Sequence, residues 1–313
     1  MNEFELIARL VPSLPTNDFV VVGAGDDCAV LDLGVPDKLV LFKTDAVVEG
    51  IHFTRETPPE KIGRKALARC LSDIAAMAGT PTAALITIGL PSREGGIDAP
   101  LVEKIYAGMN ALAKQHGVAI AGGETTTNPE RILISISLIG TVPRNKVSLR
   151  SGAKTGDAIF VTGELGGSLA ARHLEFEPRL AEARWLAEHV SVHAMIDLSD
   201  GLAGDLRHIL KASGVGADLL KRAVPISRAA KTAAKAGDAA KPAFAAALTD
   251  GEDFELLFTV ASKDAVKLLD AWKKKFPDVK LSCIGKIVSQ EGITIRDKTG
   301  SYQLSANGYV HFA

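Results

Sequence analysis

Residues 60–90, EKIGRKALARCLSDIAAMAGTPTAALITIGL, place a helical pattern directly before a strand pattern. Within Glu60–Ala78 apolar residues recur at helical spacing, and Gly-Thr-Pro at 79–81 ends the pattern. Thr82–Leu90 follows as a strongly apolar run, which is typical of a strand. Asp73 lies inside the apolar helix, where a buried carboxylate costs several kcal/mol unless it is paired. The stretch therefore predicts a helix, a strand and an acid that needs a partner.

The same patterns predict elements along the whole chain. In the first half we expect helices at 4–11 and Pro100–His116, and strands at Asp18–Gly23, Lys38–Lys43, Val118–Ala121 and Arg131–Val142. In the second half we expect strands at Ala158–Thr162, Phe254–Val260, Cys283–Ile287 and Gly292–Ile295. Helices are expected within Gly163–Leu174, at Arg179–His189, from Ser199-Asp200 onward, at Ala229–Ala247 and at Lys263–Phe276. Because strands and helices intermingle without a regular alternation, the predicted class is α+β, a mixed α/β arrangement.

A polar segment, Arg144–Asp157, separates the two halves. A chain of 313 residues suits two domains of roughly 150 residues each. We therefore expect one domain at 1–145 and a second at 146–313.

The overall charge excludes one class of partner. The chain has 36 Lys and Arg against 37 Asp and Glu, so its net charge is -1. Without a basic field, neither a nucleic acid nor a membrane surface is an expected partner. No apolar run approaches the roughly 18 residues that cross a bilayer, and the first residues carry acids where a signal peptide carries Lys or Arg. We expect a soluble cytoplasmic protein whose cysteines, Cys28, Cys70 and Cys283, are small buried hydrophobes.

The acids are unevenly distributed and fall in clusters beside Gly or Thr at the ends of apolar runs. These clusters are GAGDDCAV (23–30), FKTDAVVEG (42–50), LSDIAAMAG (71–79), AGGETTT (121–127), IDLSDGLAGD (196–205) and TDGEDFE (249–255). Carboxylate and hydroxyl oxygens are the ligands that Mg²⁺ prefers. Converging carboxylates repel one another unless they are protonated or bridged by cations. Together the clusters indicate several Mg²⁺ ions with a polyphosphate, whose oxygens the glycine N–H groups can approach.

Taken singly, each cluster has an ordinary structural interpretation. Asp26-Asp27 could form an Asx turn, Ser199 or Asp200 could cap a helix, and Gly251-Glu252-Asp253 could be a plain turn. The chain lacks the GxxxxGK[ST], GxGxxG, HExxH and GxSxG motifs, and its seven histidines form no ligand cluster. Only the joint occurrence of the acidic clusters argues for a site.

Nine ordered segments resemble the thiamine-monophosphate kinase family. They are GAGDDCAV, TDAVVEGIHF, LARCLSDIAAMAGTP, AGGETTT, LRSGAKTGD, VTGELGGS, MIDLSDGLAGDLRHI, LTDGEDFELLFTV and NGYVHF. That family belongs to an ATP-binding superfamily with aminoimidazole ribonucleotide synthetase and selenophosphate synthetase. The resemblance implies a two-domain aminoimidazole ribonucleotide synthetase-like fold. It also implies a homodimer in which N-terminal strands of two subunits pair.

The resemblance further implies phosphoryl transfer from ATP to thiamine monophosphate, giving thiamine diphosphate, with several Mg²⁺ ions. The implied metal ligands are Asp27, Thr44, Asp45, Asp73, Glu124, Asp197 and Asp200. The implied ATP contacts are Gly123, Arg150, Ser199 and, more weakly, Tyr106. His52, Glu252 and Tyr309 are implied near thiamine monophosphate, and Asp45, Asp73, Arg150 and Asp197 are implied to act in catalysis. A phosphate acceptor is already ionised, so alignment and charge neutralisation replace a general base.

Three positions depart from the family pattern. Glu124 stands where the family usually has Asp, Lys43 where it has Ser or Thr, and Gly167 where Asp is common. Two alternatives therefore stay open: another ATP-dependent enzyme of the superfamily, or a catalytically weakened protein that binds nucleotide and metal. Residues 1–22 contain neither the Cys nor the Lys expected of selenophosphate synthetase.

Overall fold

Two mixed β-sheets, one in each half of the chain, form the framework. The computed structural model describes residues 3–91, 97–236, 241–305 and 308–309. The N-terminal helices are α1 (Glu3–Leu10), α2 (Pro59–Ala76) and α3 (Ala99–His116). The N-terminal strands are β1 (Val20–Val22), β2 (Ala29–Leu31), β3 (Lys38–Val48), β4 (Thr80–Pro91), β5 (Ala119–Asn128) and β6 (Leu133–Pro143). They form one sheet in the order β1-β2-β3-β6-β4-β5.

The second sheet has the order β13-β12-β9-β11-β7-β10-β8. Its strands are β7 (Ala158–Thr162), β8 (Val192–Asp197), β9 (Gly216–Leu220), β10 (Leu256–Val260), β11 (Leu281–Val288), β12 (Gly292–Asp297) and β13 (Gly300–Gln303). The helices of this half are α4 (Leu180–His189), α5 (Leu202–Ser213), α6 (Arg228–Ala236), α7 (Ala243–Thr249) and α8 (Ala265–Lys275). Each half thus has its own sheet, and the exact boundary at 145/146 stays a prediction.

Helix α2 lies between the two halves. It contacts β3, β4 and β6 of the first sheet, helix α3, and α4 and β8 of the second half. Its apolar residues belong to a core that also contains Ile86 of β4 and Phe258 of β10. Leu257, the neighbour of Phe258, points into a second core on the opposite face of the C-terminal sheet. The helix is therefore buried on nearly all sides, which explains why it carries apolar residues around its circumference.

Several predicted elements differ from the structure. Strands β3 and β5 extend past the predicted ends at Lys43 and Ala121, and strands β2, β8, β9 and β13 had not been predicted. The later part of β5 was not predicted because its residues are mostly exposed, so AGGETTT shows no apolar alternation. The helix predicted at Ala229–Ala247 is two helices, α6 and α7, and 237–240 between them lie outside the described residues. Only short 3₁₀ turns occur in Gly163–Leu174.

Other sequence expectations can be compared directly. Cys28 and Cys70 are buried, but Cys283 on β11 is exposed, so the expectation for that thiol was wrong. Of the closing NGYVHF motif, only Gly308 and Tyr309 are among the described residues. No helix in the described ranges is both long and apolar enough to cross a membrane.

Helices α2 and α3 cross at two glycines, which lets their backbones approach closely. A Cβ atom built on Gly63 would lie 1.8 Å from the carbonyl oxygen of Ile105, and one on Gly108 would lie 1.8 Å from that of Glu60. Neither neighbour is a flexible side chain, so any added carbon would push the helices apart. The position of α2 thus depends on the absence of two side chains.

We expect Gly108→Ala to lower the free energy of unfolding by about 1–3 kcal/mol, because overpacking outweighs the better helix propensity of Ala. Urea unfolding followed by circular dichroism measures the change. Gly89→Ala is the matched control, since its Cβ would meet its nearest neighbours at an ordinary 3.6 Å. Equal stability of the two variants would contradict the close-crossing account.

Candidate active site

Three buried carboxylates from three separate segments converge between the two halves. One carboxylate oxygen each of Asp27, Asp73 and Asp197 lies within 4.8 Å of the others, and all three residues are buried. Asp27 follows the Gly23–Gly25 turn, Asp73 lies on α2, and Asp197 ends β8. We call this set the carboxylate cluster. Burial of three acids so close together requires compensating cations or protons.

Arg150 compensates Asp27 and anchors the segment between the sheets. Its Nη2 and Nε atoms donate to Asp27 Oδ1 at 2.6 and 3.2 Å, and its backbone N–H donates to Asp26 Oδ2 at 3.0 Å. Burial and the adjacent Asp27 raise the pKa of Asp26 to about 6. Asp27 Oδ2 is buried and has no hydrogen-bond partner among the described residues. A buried carboxylate oxygen without such a partner has a lone pair available for a metal ion.

Asp73, the acid inside the helical pattern, pairs with Lys43 of β3. Lys43 Nζ lies 2.8 Å from Asp73 Oδ1. Burial raises the pKa of Asp73 well above its usual value, although Lys43 opposes that rise. The partner that the sequence required is therefore the lysine that departs from the family pattern.

Asp197 joins the C-terminal half to α2. Ser72 Oγ donates to Asp197 Oδ2 at 2.5 Å. Burial and the charge of Asp27 raise the pKa of Asp197 to about 7, while Ser72 opposes the rise. This hydrogen bond ties the third carboxylate to the helix that carries the second.

Asp45, on β3 beside the cluster, is paired with a cation from α2. Arg69 Nε donates to Asp45 Oδ2 at 2.9 Å, and Arg69 Nη2 donates to Asp45 Oδ1 at 3.3 Å. Burial would raise the pKa of Asp45, but Arg69 and Lys43 lower it below its usual value. Asp45 is therefore held ionised by the chain itself.

A second buried network surrounds Glu252. Lys65 Nζ lies 2.6 Å from Glu252 Oε2 and donates to the His52 carbonyl at 2.7 Å. His173 Nδ1 lies 2.8 Å from Glu252 Oε2, and Arg69 Nη1 lies 3.5 Å from Glu252 Oε1. Burial opposes ionisation of Glu252, but His173, Lys65 and Arg69 lower its pKa to about 2. Glu252 remains a carboxylate in spite of its burial.

Two loops of the C-terminal half complete the wall beside this network. The Glu252 N–H donates to the Ser199 carbonyl at 2.7 Å, and the Tyr309 N–H donates to the Asp200 carbonyl at 2.8 Å. Gly251 has φ 73°, and a Cβ there would lie 2.7 Å from the Ser199 carbonyl oxygen, so this turn requires glycine. The loops hold Ser199, Asp200, Glu252 and Tyr309 together.

A pocket of about 110 Å³ lies against these loops. It is lined by Ile51, His52, Arg69, Leu169, Ser199, Asp200, Asp250, Glu252, Phe254 and Tyr309. A larger hollow of about 570 Å³ lies elsewhere, beside β12, but its Lys221 and Arg296 are already paired with Asp297 and Asp218. We place the site at the smaller pocket, because the convergent polar groups and the shifted pKa values occur there.

Other predicted site residues lie apart from the carboxylate cluster in this single subunit. Successive residues of β3 alternate between the two faces of the sheet, so Thr44 faces away from Lys43 and Asp45 and is exposed. Glu124 on β5 pairs with Thr87 on β4, which pairs with Ser135 on β6, which in turn pairs with Ala46 on β3. Glu124 is therefore three strands from β3, a distance of about 14 Å at the usual spacing between strands. Gly123 lies on the same outer strand, and Tyr106 of α3 packs against the first core.

The third family departure, Gly167, has a local structural reason. Gly167 has φ 71°, and a Cβ there would lie 2.8 Å from the Ala230 nitrogen. Its N–H donates to Asp250 Oδ2 at 2.9 Å. An aspartate at this position would therefore strain the turn as the chain is arranged here.

A second group of possible ligands lies at the start of α5. Oxygen or nitrogen atoms of Asp200, Asp205 and His208 also lie within 4.8 Å of one another. Asp205 Oδ2 accepts from the Asp200 N–H at 3.1 Å, and burial and Asp200 raise the pKa of Asp205 well above its usual value. Burial lowers the pKa of His208 to about 4, with Arg150 adding to the effect.

Sequence reasoning missed Lys65, Arg69, Ser72 and His173. Lys65, Arg69 and Ser72 follow one another at spacings of four and three residues, and Asp73 comes directly after Ser72. This spacing places all four on one side of α2. That polar spacing within an apolar helix was visible in the sequence and could have identified them. His173 lies on a short 3₁₀ turn far along the chain, and no pattern indicated it.

Comparison with known proteins gives the chain its relatives. Residues 25–142 match the N-terminal domain of AIR synthase related proteins, and residues 154–298 match their C-terminal domain. A thiamine-monophosphate kinase of Rhodopirellula baltica is 40% identical over 302 residues, covering 93% of this chain and 92% of its own. The thiamine-monophosphate kinase of Salmonella typhimurium is 35% identical over 336 residues, covering 100% and 98%.

A solved structure agrees with these relatives. AaThiL complexed with AMPPCP and TMP has a TM-score of 0.83 and 29% identity, and the match covers 99% of this chain and 97% of that one. The α+β class and the two-domain aminoimidazole ribonucleotide synthetase-like fold are thereby confirmed. The chain belongs to the thiamine-monophosphate kinase family, within the larger group of AIR synthase related proteins.

Proposed function

We propose that this chain transfers the γ-phosphoryl group of ATP in line to the phosphate of thiamine monophosphate, giving thiamine diphosphate and ADP in the cytoplasm. The observation that carries the proposal is the carboxylate cluster, with its unpartnered Asp27 oxygen, near a pocket lined by His52, Glu252 and Tyr309. Relatives at 40% and 35% identity are named for this activity, and a related structure contains both AMPPCP, an ATP analogue, and TMP.

The pocket suits the organic end of thiamine monophosphate. The thiazolium ring of thiamine is cationic, and the pocket offers the ionised Glu252 with Phe254 and Tyr309 as ring surfaces. Its volume of about 110 Å³ is below the roughly 300 Å³ of a complete ligand site. It therefore takes one end of the substrate, and the phosphate extends toward Arg69 and the carboxylate cluster.

The chain's own residues neutralise and align the reacting groups. Arg150 and Arg69 are placed by Asp27 and Asp45, so their guanidinium groups enter the reaction already oriented. The acceptor is a phosphate oxygen and needs no base, which agrees with a His52 whose pKa is lowered to about 4 by burial and Arg69. His52 thus serves as a neutral neighbour of the substrate, its Nδ1 accepting from the Val48 N–H at 3.0 Å.

The donor set fits Mg²⁺. Asp27, Asp73 and Asp197 offer oxygens within 4.8 Å of one another, and the bare Asp27 Oδ2 gives one oxygen without breaking a hydrogen bond. Asp200 lies within the second acidic group and is proposed as a further ligand. When bound, Mg²⁺ neutralises the phosphate charge and orients the β and γ oxygens.

A homodimer is part of the proposal. The face of the first sheet that turns away from α2 exposes Phe42, Leu85 and Ile139, and β5 is the last strand of that sheet. Phe42 and Ile139 are direct cross-strand partners, so they form a continuous apolar surface. Thr44 shares this face and Glu124 aligns with Thr87 on it. We propose that Thr44, Gly123 and Glu124 act at the nucleotide site only in the dimer, together with Ser199 and Tyr106 as proposed nucleotide contacts.

Acceptor profiling tests the activity. With Mg²⁺ and ATP, ADP release should require thiamine monophosphate, and free thiamine or unrelated phosphates should leave the rate at background. A coupled ADP assay with mass spectrometry of thiamine diphosphate measures this. Transfer to free thiamine would overturn the substrate assignment. ATP binding without turnover would support the alternative, a nucleotide-binding homologue. The observation that favours this alternative is that Asp73 and Asp45 are already paired with cations of the chain.

Asp73→Asn and Asp45→Asn should each reduce kcat by about 100-fold or more while the protein stays folded, because an amide neither balances Lys43 or Arg69 nor binds Mg²⁺ as a carboxylate does. Initial rates and thermal unfolding measure the two quantities. Asp32→Asn is the matched control, since Asp32 pairs with Arg144 at the surface and should retain the full rate. Near-normal turnover in either site variant would rule out the assigned role.

Light scattering after size exclusion should give twice the 32.9 kDa chain mass. Leu85→Glu should shift the protein toward the monomer, because a charge would be buried in the proposed interface. Val266→Glu is the control, since Val266 is 72% exposed on α8. A monomeric wild-type protein would refute the dimer.

A further inference from the structure

The ammonium group of Lys43 lies where the carboxylate cluster needs positive charge. Lys43 Nζ is 2.8 Å from Asp73 Oδ1, and the lysine side chain is only 22% exposed. The proposed reaction does not use the Lys43 charge, because Arg150 and Arg69 are the residues proposed to neutralise and align the reacting phosphates.

The three members of the cluster are compensated in different ways. Asp27 has a guanidinium partner at 2.6 Å, Asp197 accepts from the Ser72 hydroxyl at 2.5 Å, and Asp73 has the ammonium. Lysine is a compact point charge, closer in character to a metal ion than the planar arginine is. Lys43 therefore supplies at Asp73 what a divalent cation would otherwise supply there.

The ammonium also restricts where metal ions can bind. A divalent cation on the Oδ1 side of Asp73 would lie within a few ångströms of Nζ, and two like charges at that distance repel strongly. The strand places Lys43 on the same face as Asp45, so its side chain leaves the backbone on the side of the cluster. Metal ions are left with the side of the cluster formed by Asp27 and Asp197.

We propose that Lys43 is a resident cation that takes the place of one divalent ion at Asp73, so that this chain binds one divalent ion fewer than its Lys43→Thr variant. Asp73 then holds the lysine in position through Oδ1, and its other carboxylate oxygen stays available to a metal ion. The proposal deepens the proposed function, on which it rests for the presence of bound metal, and it concerns the number of ions and not the substrate.

Counting bound Mn²⁺ on the full chain tests the proposal. Equilibrium dialysis, with free Mn²⁺ followed by electron paramagnetic resonance, gives the number bound per subunit, with Mn²⁺ alone and with AMPPCP. We expect one additional Mn²⁺ in Lys43→Thr and Lys43→Met. Lys43→Arg, which keeps the charge, should match the wild type. Lys280→Thr is the surface control, since the Lys280 side chain is 57% exposed and the acid it pairs with, Glu164, is 4.0 Å away.

Thermal unfolding provides a second readout. In EDTA the Lys43→Thr and Lys43→Met variants should melt below the wild type, and Mn²⁺ should restore them, because the added ion replaces the lost charge. Equal Mn²⁺ numbers in all the folded variants would overturn the proposal. So would unfolding of both neutral variants that Mn²⁺ does not reverse, since Lys43 would then be only structural.

The outcome is separable from the kinase assay. The Mn²⁺ count uses neither thiamine monophosphate nor turnover, and an additional ion in Lys43→Thr supports the proposal even if acceptor profiling fails. A wild-type enzyme that phosphorylates thiamine monophosphate, with no additional ion in the neutral variants, would leave the function standing and remove the role of Lys43.

Discussion

Burial of three carboxylates within 4.8 Å of one another is the constraint on which the rest of the structure depends. Such a set cannot be ionised together without nearby cations. The chain answers with a cation or donor from a different segment for each acid: Arg150 for Asp27, Lys43 for Asp73 and Ser72 for Asp197. Each acid and its partner are at least 30 residues apart in the sequence, so the site is assembled only when the chain folds.

Helix α2 is the element that makes this possible. One side of it presents Lys65, Arg69, Ser72 and Asp73 to both halves of the protein, while its apolar residues pack into the core. The glycine crossing with α3 fixes its depth. A small displacement of α2 would therefore disturb the Asp45, Glu252 and Asp197 contacts together, which links packing remote from the site to its electrostatics.

The sequence predicted much of the fold where hydrophobic periodicity was strong. The helices at Glu60–Ala78 and Pro100–His116 and the strand at Arg131–Val142 correspond closely to α2, α3 and β6. It missed β8, β9 and the later part of β5, where tertiary pairing and not local pattern decides the strand. For the candidate site, the acidic clusters contain Asp27, Asp73 and Asp197, which the fold brings together, but nothing in their spacing showed that Thr44 and Asp45 face opposite ways in the sheet.

The sequence by itself determined the family, the class of fold and the set of acids, because ordered motifs and residue chemistry are local properties of the chain. It also showed that Asp73 needed a partner. The tertiary structure alone decided that this partner is Lys43, that Arg69 donates to both oxygens of Asp45, and that Glu124 lies three strands away. These are distances between separate segments of the chain, and they are fixed only by the packing of the two sheets against α2.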